Sequence, residues 1–325
     1  MDNATVRGTQ QSGLAVETII TLGIYFGVLF LSVWFAVRNV RAGRSDLKGA
    51  LRVAVFVFAA RMVMWTFATH HVADNGEVLL FIAGLQTAIY WAAMAGFMYL
   101  AFEPYLRRSA PERIISWTRL LSGDWRDPLV GRDILIGGAA AMIYVVLVLA
   151  VIVLIPHLLG TPAPLLNVLS GQGPGGGLFV GLIGFPDLLA DKITESVIAA
   201  FMLSFLILFA GLLLRRKLLG AVVIWLIFAG LVTAAAVNAS VIEGVASLIF
   251  VTAVVSIAER FGVLATISWL MFIDIGNRPV TTALSAWYAS EFVLYALVLI
   301  GLAVFGFYTS TAGSKMFGGR SLLGD

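Results

Sequence analysis

Long apolar runs alternate with short polar gaps along the whole chain, and each run is about the length that one helix needs to cross a lipid core. This spacing predicts nine helices at about 19–37, 53–69, 78–102, 134–155, 193–214, 218–237, 241–258, 261–275 and 290–308. The stretch 241–275 is the least sharply divided, since only Glu259 and Arg260 interrupt it, and eight helices with one shallow hairpin stay open there. The expected fold is all-α: a polytopic transmembrane helix bundle forming a single integral membrane domain over 1–325.

The gaps carry the orientation. Basic residues near helix ends resist translocation, so a one-sided excess of Lys and Arg marks the cytoplasmic face. Of the 21 Lys and Arg residues, 17 fall on one side: 38–52, six arginines from Arg107 to Arg132, 215–217, Arg260, Lys315 and Arg320. Three fall on the other, Arg7, Lys192 and Arg278, and Arg61 lies within a helix. The amino terminus is therefore expected outside and the carboxyl terminus inside. Residues 1–17 lack a basic n-region and no small-residue cleavage site follows the first apolar run, so that run reads as an uncleaved anchor held by the arginines after it.

Composition narrows the function classes. Sixty per cent of residues are hydrophobic, 12% are charged and the mean hydropathy is +0.99, so lipid is the solvent. The net charge of +3 is explained by the membrane-edge arginines, which removes the case for nucleic acid. Cysteine is absent, excluding disulfides and thiolate metal sites. No P-loop, H-E-x-x-H or G-x-S-x-G motif occurs, so no catalytic residue and no cofactor is assigned.

Two connections exceed simple turns. In the inner segment 103–133, Ser109 to Glu112 has the spacing of a capping box, with Pro111 near the first helical position. Ile114, Trp117, Thr118 and Leu121 then recur at helical spacing until Gly123. This predicts an amphipathic interfacial helix with Trp117 at headgroup level. Arg107, Arg108, Arg113, Trp117, Arg119, Arg126 and Arg132 are its candidate contacts to anionic lipid or to a protein partner. The outer connection 156–192 is rich in Pro and Gly; its Gly171, Gly173 and Gly176 match a dinucleotide fingerprint by letter only, with no strand before them. The apolar piece 178–186 is too short to span; a plain loop with an interfacial patch is expected there, with a re-entrant piece as the alternative.

Arg61 is the costliest residue, roughly 12 Å inside its helix at about 1.5 Å per residue, and it should face the bundle and find an acid. The candidate intramembrane partners are Glu195, Glu243, Asp274 and Glu291. His70, His71 and Asp74 cluster at the outer end of the second helix and His157 opens the outer connection, but adjacent histidines diverge by about 100° on a helix, so no metal site is assigned.

Three stretches resemble a known family: 38–44; 100–108 continuing through 115–133; and 281–288 with 306–309. They are similar to the multi-pass membrane region that follows the catalytic domain in a group of serine/threonine protein kinases of soil bacteria. The resemblance implies association with kinase signalling, either as a stand-alone copy of the membrane module or working with a kinase or other output domain encoded separately; the reading adopted is a non-catalytic sensor or scaffold for a cytoplasmic signalling protein or a larger membrane complex. The chain itself has no Gly-rich loop, H-R-D loop or D-F-G of a kinase. The rival class is a transporter or channel component that uses an intramembrane Arg–carboxylate pair.

Overall fold

The computed structural model describes residues 23, 26–69, 71, 74–160, 181–237, 241–276, 285 and 289–311, and among these the chain is helical with no strand. The helices are α1 (26–41), α2 (Leu47–Ala68), α3 (Gly76–Ser109), α4 (Ile115–Ser122), α5 (Pro128–Leu159), α6 (Gly181–Leu213), α7 (Lys217–Val237), α8 (Val241–Arg260), α9 (Val263–Gly276) and α10 (Ala289–Ser310). A single 3-10 turn, Pro111–Arg113, joins α3 to α4. Six of the described helices are long and apolar enough to cross a membrane, and α7 and α9 contain shorter apolar segments. Large side chains such as Phe30, Leu79, Val153, Leu213 and Leu218 lie about 70% exposed around the outside, as a multi-pass membrane protein requires of its lipid-facing belt.

Between helices the driving force is close packing rather than water exclusion, and glycines set the approach. A Cβ on Gly131 of α5 would stand 2.5 Å from the Gly306 carbonyl of α10, and one on Gly137 would stand 2.6 Å from the Ala265 carbonyl of α9. Gly220 of α7 is equally tight against Gly211 of α6. The main core lies among α2, α3, α5, α6 and α9, where Phe102, Phe201, Phe205 and Trp269 are almost fully buried.

The apolar helices lie where the hydropathy pattern places them, but several are longer. The expected helix at 193–214 begins at Gly181, so residues 181–192 are helical rather than part of the outer connection. Residues 181–186 are the continuous start of α6 and no separate re-entrant piece; 178–180, the glycines of 171–176 and His70 lie outside the described residues. Residues 156–159 likewise complete α5, with His157 in its last turn and Gly160 capping it at φ +63°. At 241–275 two helices form, divided by Gly262 at φ +86°.

At the α3 end the expected capping box is absent. Helix α3 runs through Pro104 to Ser109, and Ala110, not Ser109, precedes the 3-10 turn, with no side-chain cap. Pro104 has no N–H to give the Leu100 carbonyl four residues back. The buried Asn39 of α1 supplies it: Nδ2 donates to the Leu100 carbonyl at 2.9 Å and the Ala101 carbonyl at 3.1 Å. A buried helix interrupted by proline needs such a donor, and this one also pins α1 to α3.

Candidate functional site: the arginine-rich end and the buried Arg61 cluster

The arginine-rich end gathers the 38–52 turn, the 3-10 turn, α4, and the α6–α7 and α8–α9 turns. Gly123 ends α4 in the left-handed region, with its N–H donating to the Arg119 and Leu120 carbonyls. The apolar face expected of α4 is present, but it turns into the protein: Ile114 and Trp117 are buried, and the Trp117 ring meets Phe201 edge-on at 5.5 Å between centroids. The Trp117 ring therefore faces the protein interior rather than lipid. Docking against a protein surface lets it bury its whole ring, which a headgroup layer cannot offer.

Most of the arginines assigned to lipid have partners in the protein. Arg113 forms a two-pronged pair with Glu259 of α8, with both N···O distances 2.8 Å. Arg119 pairs with Asp127, which also accepts from the Leu129 N–H as the cap of α5. Arg132 reaches the fully buried Asp133 at 2.9 Å, and Arg107 stands 2.5 Å from the fully buried Glu103. Arg52 donates to the Leu121 carbonyl at 2.9 Å, tying α2 to the end of α4. A fork-shaped guanidinium matched to a carboxylate fixes angle as well as distance, so the Arg113–Glu259 pair orients the segment against α8. Arg108 and Arg126 are exposed, and Arg126 lies over the half-exposed Trp125, which stacks on Phe305 of α10.

Gly262 closes the assembly from below. Besides its left-handed φ, a Cβ there would lie 2.1 Å from the Arg113 carbonyl oxygen, so the α8–α9 turn touches the 3-10 turn backbone to backbone. Stretches singled out in the sequence meet at this end: Asn39 on the Leu100 and Ala101 carbonyls, and Gly131 on Gly306. Position 285 is the sole described residue of 281–288.

Arg61 lies in the second cluster. Its side chain is 10% exposed, Nη1 is 3.5 Å from Asp191 Oδ1 of α6, and the guanidinium covers the Trp91 ring of α3 at 5.0 Å. Asp187 and Glu195 lie close enough to add to the attraction. Asp187, Asp191 and Glu195 are four residues apart, so the helical start of α6 aligns all three on one face. Lys192 joins Asp191 at 3.4 Å and Glu195 at 2.6 Å, within the field of Asp274. Of the four acids considered from the sequence, Glu195 thus stands beside Arg61 and Asp274 beside Lys192. Glu243 lies in the first turn of α8, and Glu291 falls in α10 with its side chain outside the description. The direct partner is Asp191, hidden from sequence reading because Pro186 and the charges of 187–192 resemble a loop.

His71, outside the apolar helices, contacts Glu77 at 2.5 Å and the Thr66 carbonyl at 3.0 Å and stands edge-on to Trp65. The hydrogen bond to Glu77 raises its pKa above the ordinary imidazole value. Among the described residues no group of three or more His, Cys, Asp and Glu side chains could hold a metal.

A cavity of about 350 Å³ opens at the arginine-rich end between α3, α6 and the α8–α9 turn. Comparison with protein families, with characterised proteins and with solved structures finds no match to this chain.

Proposed function

We propose that this chain is a non-catalytic module of a bacterial inner membrane, crossing it nine times with the amino terminus outside and the arginine-rich end in the cytoplasm. There it serves as a sensor or scaffold for a cytoplasmic signalling protein, with the kinases named by the resemblance as the first class of partner. One observation carries the reading: segment 103–133 is built into the bundle through Trp117, Arg113–Glu259 and Arg119–Asp127. It therefore forms a rigid platform that leaves Arg108, Trp125 and Arg126 facing outward. Rigid surfaces bind at lower entropic cost than loose ones, and exposed Trp and Arg are the residues that anchor interfaces.

The transporter reading asks Arg61 to line an open polar path. Its near-complete burial between Asp191 and Trp91 supports the closed, structural role instead.

The test is affinity capture from native membranes with the wild-type chain and with Arg108→Glu/Trp125→Ala/Arg126→Glu. A cytoplasmic protein that co-purifies with the first and not the second, at equal membrane insertion, supports the reading. Identical captured proteins in both, or reporter fusions that place residue 125 outside, would overturn it.

A further inference from the structure

The cavity at the arginine-rich end has two different walls. Its lining residues Leu106, Ile207 and Val263 are apolar and buried, and Leu208 is half-buried. Ser109, Arg215 and Lys217 of the same lining are exposed and mark its mouth, with Arg113 and Glu259 half-buried beside them. The Arg113–Glu259 pair is internally neutralised. The Lys217 ammonium donates to the Ser109 carbonyl at 2.5 Å, which positions its charge without cancelling it. Arg215 forms no ion pair among the described residues, and its φ of +54° holds the α6–α7 turn in the left-handed region. Gly211 and Gly262 line the same space and add no side chain to fill it. Two uncompensated cations therefore sit over an apolar chamber.

What surrounds the mouth indicates the route of entry. Leu212, which lines the cavity, and its chain neighbours Leu213, Leu214, Leu218 and Leu219 on either side of the α6–α7 turn are exposed to between 40% and 73%, an apolar surface suited to lipid. A volume of about 350 Å³ is at the small end of ligand pockets, enough for part of an acyl chain and a headgroup edge. Apolar depth, cationic rim and a lipid-side entrance together describe an amphiphile with an anionic head.

We propose that this cavity is a binding site for one anionic phospholipid of the adjoining leaflet, its phosphate held by Arg215 and Lys217 and one acyl chain laid against Leu106, Ile207 and Leu208. Each basic residue at a membrane surface adds measurably to the attraction for an anionic head, and here two act on one phosphate inside a shaped pocket. The site is separate from the outward platform of Arg108, Trp125 and Arg126, and does not depend on the signalling reading. A bound lipid would bridge the α6–α7 turn to the end of α3, tightening the arginine-rich end.

Native mass spectrometry of the purified full chain, exchanged into mild detergent, tests it with phosphatidylglycerol, phosphatidylcholine and inorganic phosphate as probes. The expected result is one retained phosphatidylglycerol per chain, bound about tenfold or more tighter than phosphatidylcholine. Arg215→Gln/Lys217→Gln should bring the two lipids to near parity, and Leu208→Trp, which fills the chamber and keeps both cations, should lose the retained lipid. Equal retention of both lipids by the wild-type chain would overturn the proposal whatever the variants do. So would inorganic phosphate that competes as well as the lipid, since that marks an anion site with no use for the chain, and so would undiminished lipid retention by a folded Leu208→Trp protein.

Discussion

The two charged regions of this bundle manage the same difficulty in opposite ways. Within segment 103–133 four of the six arginines are matched individually: Arg113 with Glu259, Arg119 with Asp127, Arg132 with Asp133, Arg107 with Glu103. Around Arg61 the charges are pooled, two cations among Asp187, Asp191, Glu195 and Asp274. One-to-one pairing specifies a geometry, and it occurs where a surface segment must be seated in one orientation. Pooling tolerates small displacements and satisfies a lone cation deep in the bundle, where leaving it unpaired costs most.

The comparison can be broken at its most exacting point first. Gly262→Val combines a left-handed φ with a clash against the Arg113 backbone; strain and overpacking together should cost up to about 6 kcal/mol and unseat segment 103–133. Limited proteolysis on inside-out vesicles should then cut within that segment, and an uncut protein with wild-type melting would contradict the backbone contact. Trp117→Ala empties a buried site against Phe201 and should cost about 3–5 kcal/mol in detergent melting. A loss under about 1 kcal/mol would return Trp117 to the headgroup layer.

The pooled cluster should respond more mildly. Arg61→Met leaves Lys192 as the one cation among the four pooled acids and should cost about 1–3 kcal/mol, whereas Asp191→Asn should cost less because Asp187 and Glu195 remain. A double-mutant cycle between Arg61 and Asp191 checks this: coupling well below that of Arg113 with Glu259 fits pooling, and equal coupling removes the contrast drawn here.

The smallest effect is the pH response of His71. Its folded pKa is raised, so the folded state prefers the protonated ring. The stabilisation is complete below the ordinary imidazole value near 6.5 and is lost as pH rises through the higher folded value. Melting temperature should therefore fall across that window, and Glu77→Gln should flatten the fall. A wild-type profile that rises there would contradict the pair.

Much of this architecture was legible because period and length are strong signals in lipid-spanning helices. The helices fell where the apolar runs lie, and Gly123 ended α4 as its conformational freedom suggests, whereas Gly262, which the sequence reading placed inside the helix 261–275, divides α8 from α9. The destination of an amphipathic face was not legible: α4 shows the same spacing of Ile114 and Trp117 whether it lies on lipid or on Phe201, and only the tertiary contact decides. Asp191 was missed for a related reason. Its Asp-x3-Asp-x3-Glu spacing was visible, but it carries meaning only once the helix is known to start at Gly181.

Asn39 and Pro104 have a consequence for anyone altering this chain. The proline leaves a carbonyl vacant and the asparagine occupies it from another helix, so the two positions behave as one character. Replacing the asparagine alone strands a buried acceptor. Restoring an N–H at 104 sets a second donor competing with the amide for that acceptor, loosening the tie between α1 and its neighbour. Successful redesigns, and diverged copies of this protein, should change both sites together or neither.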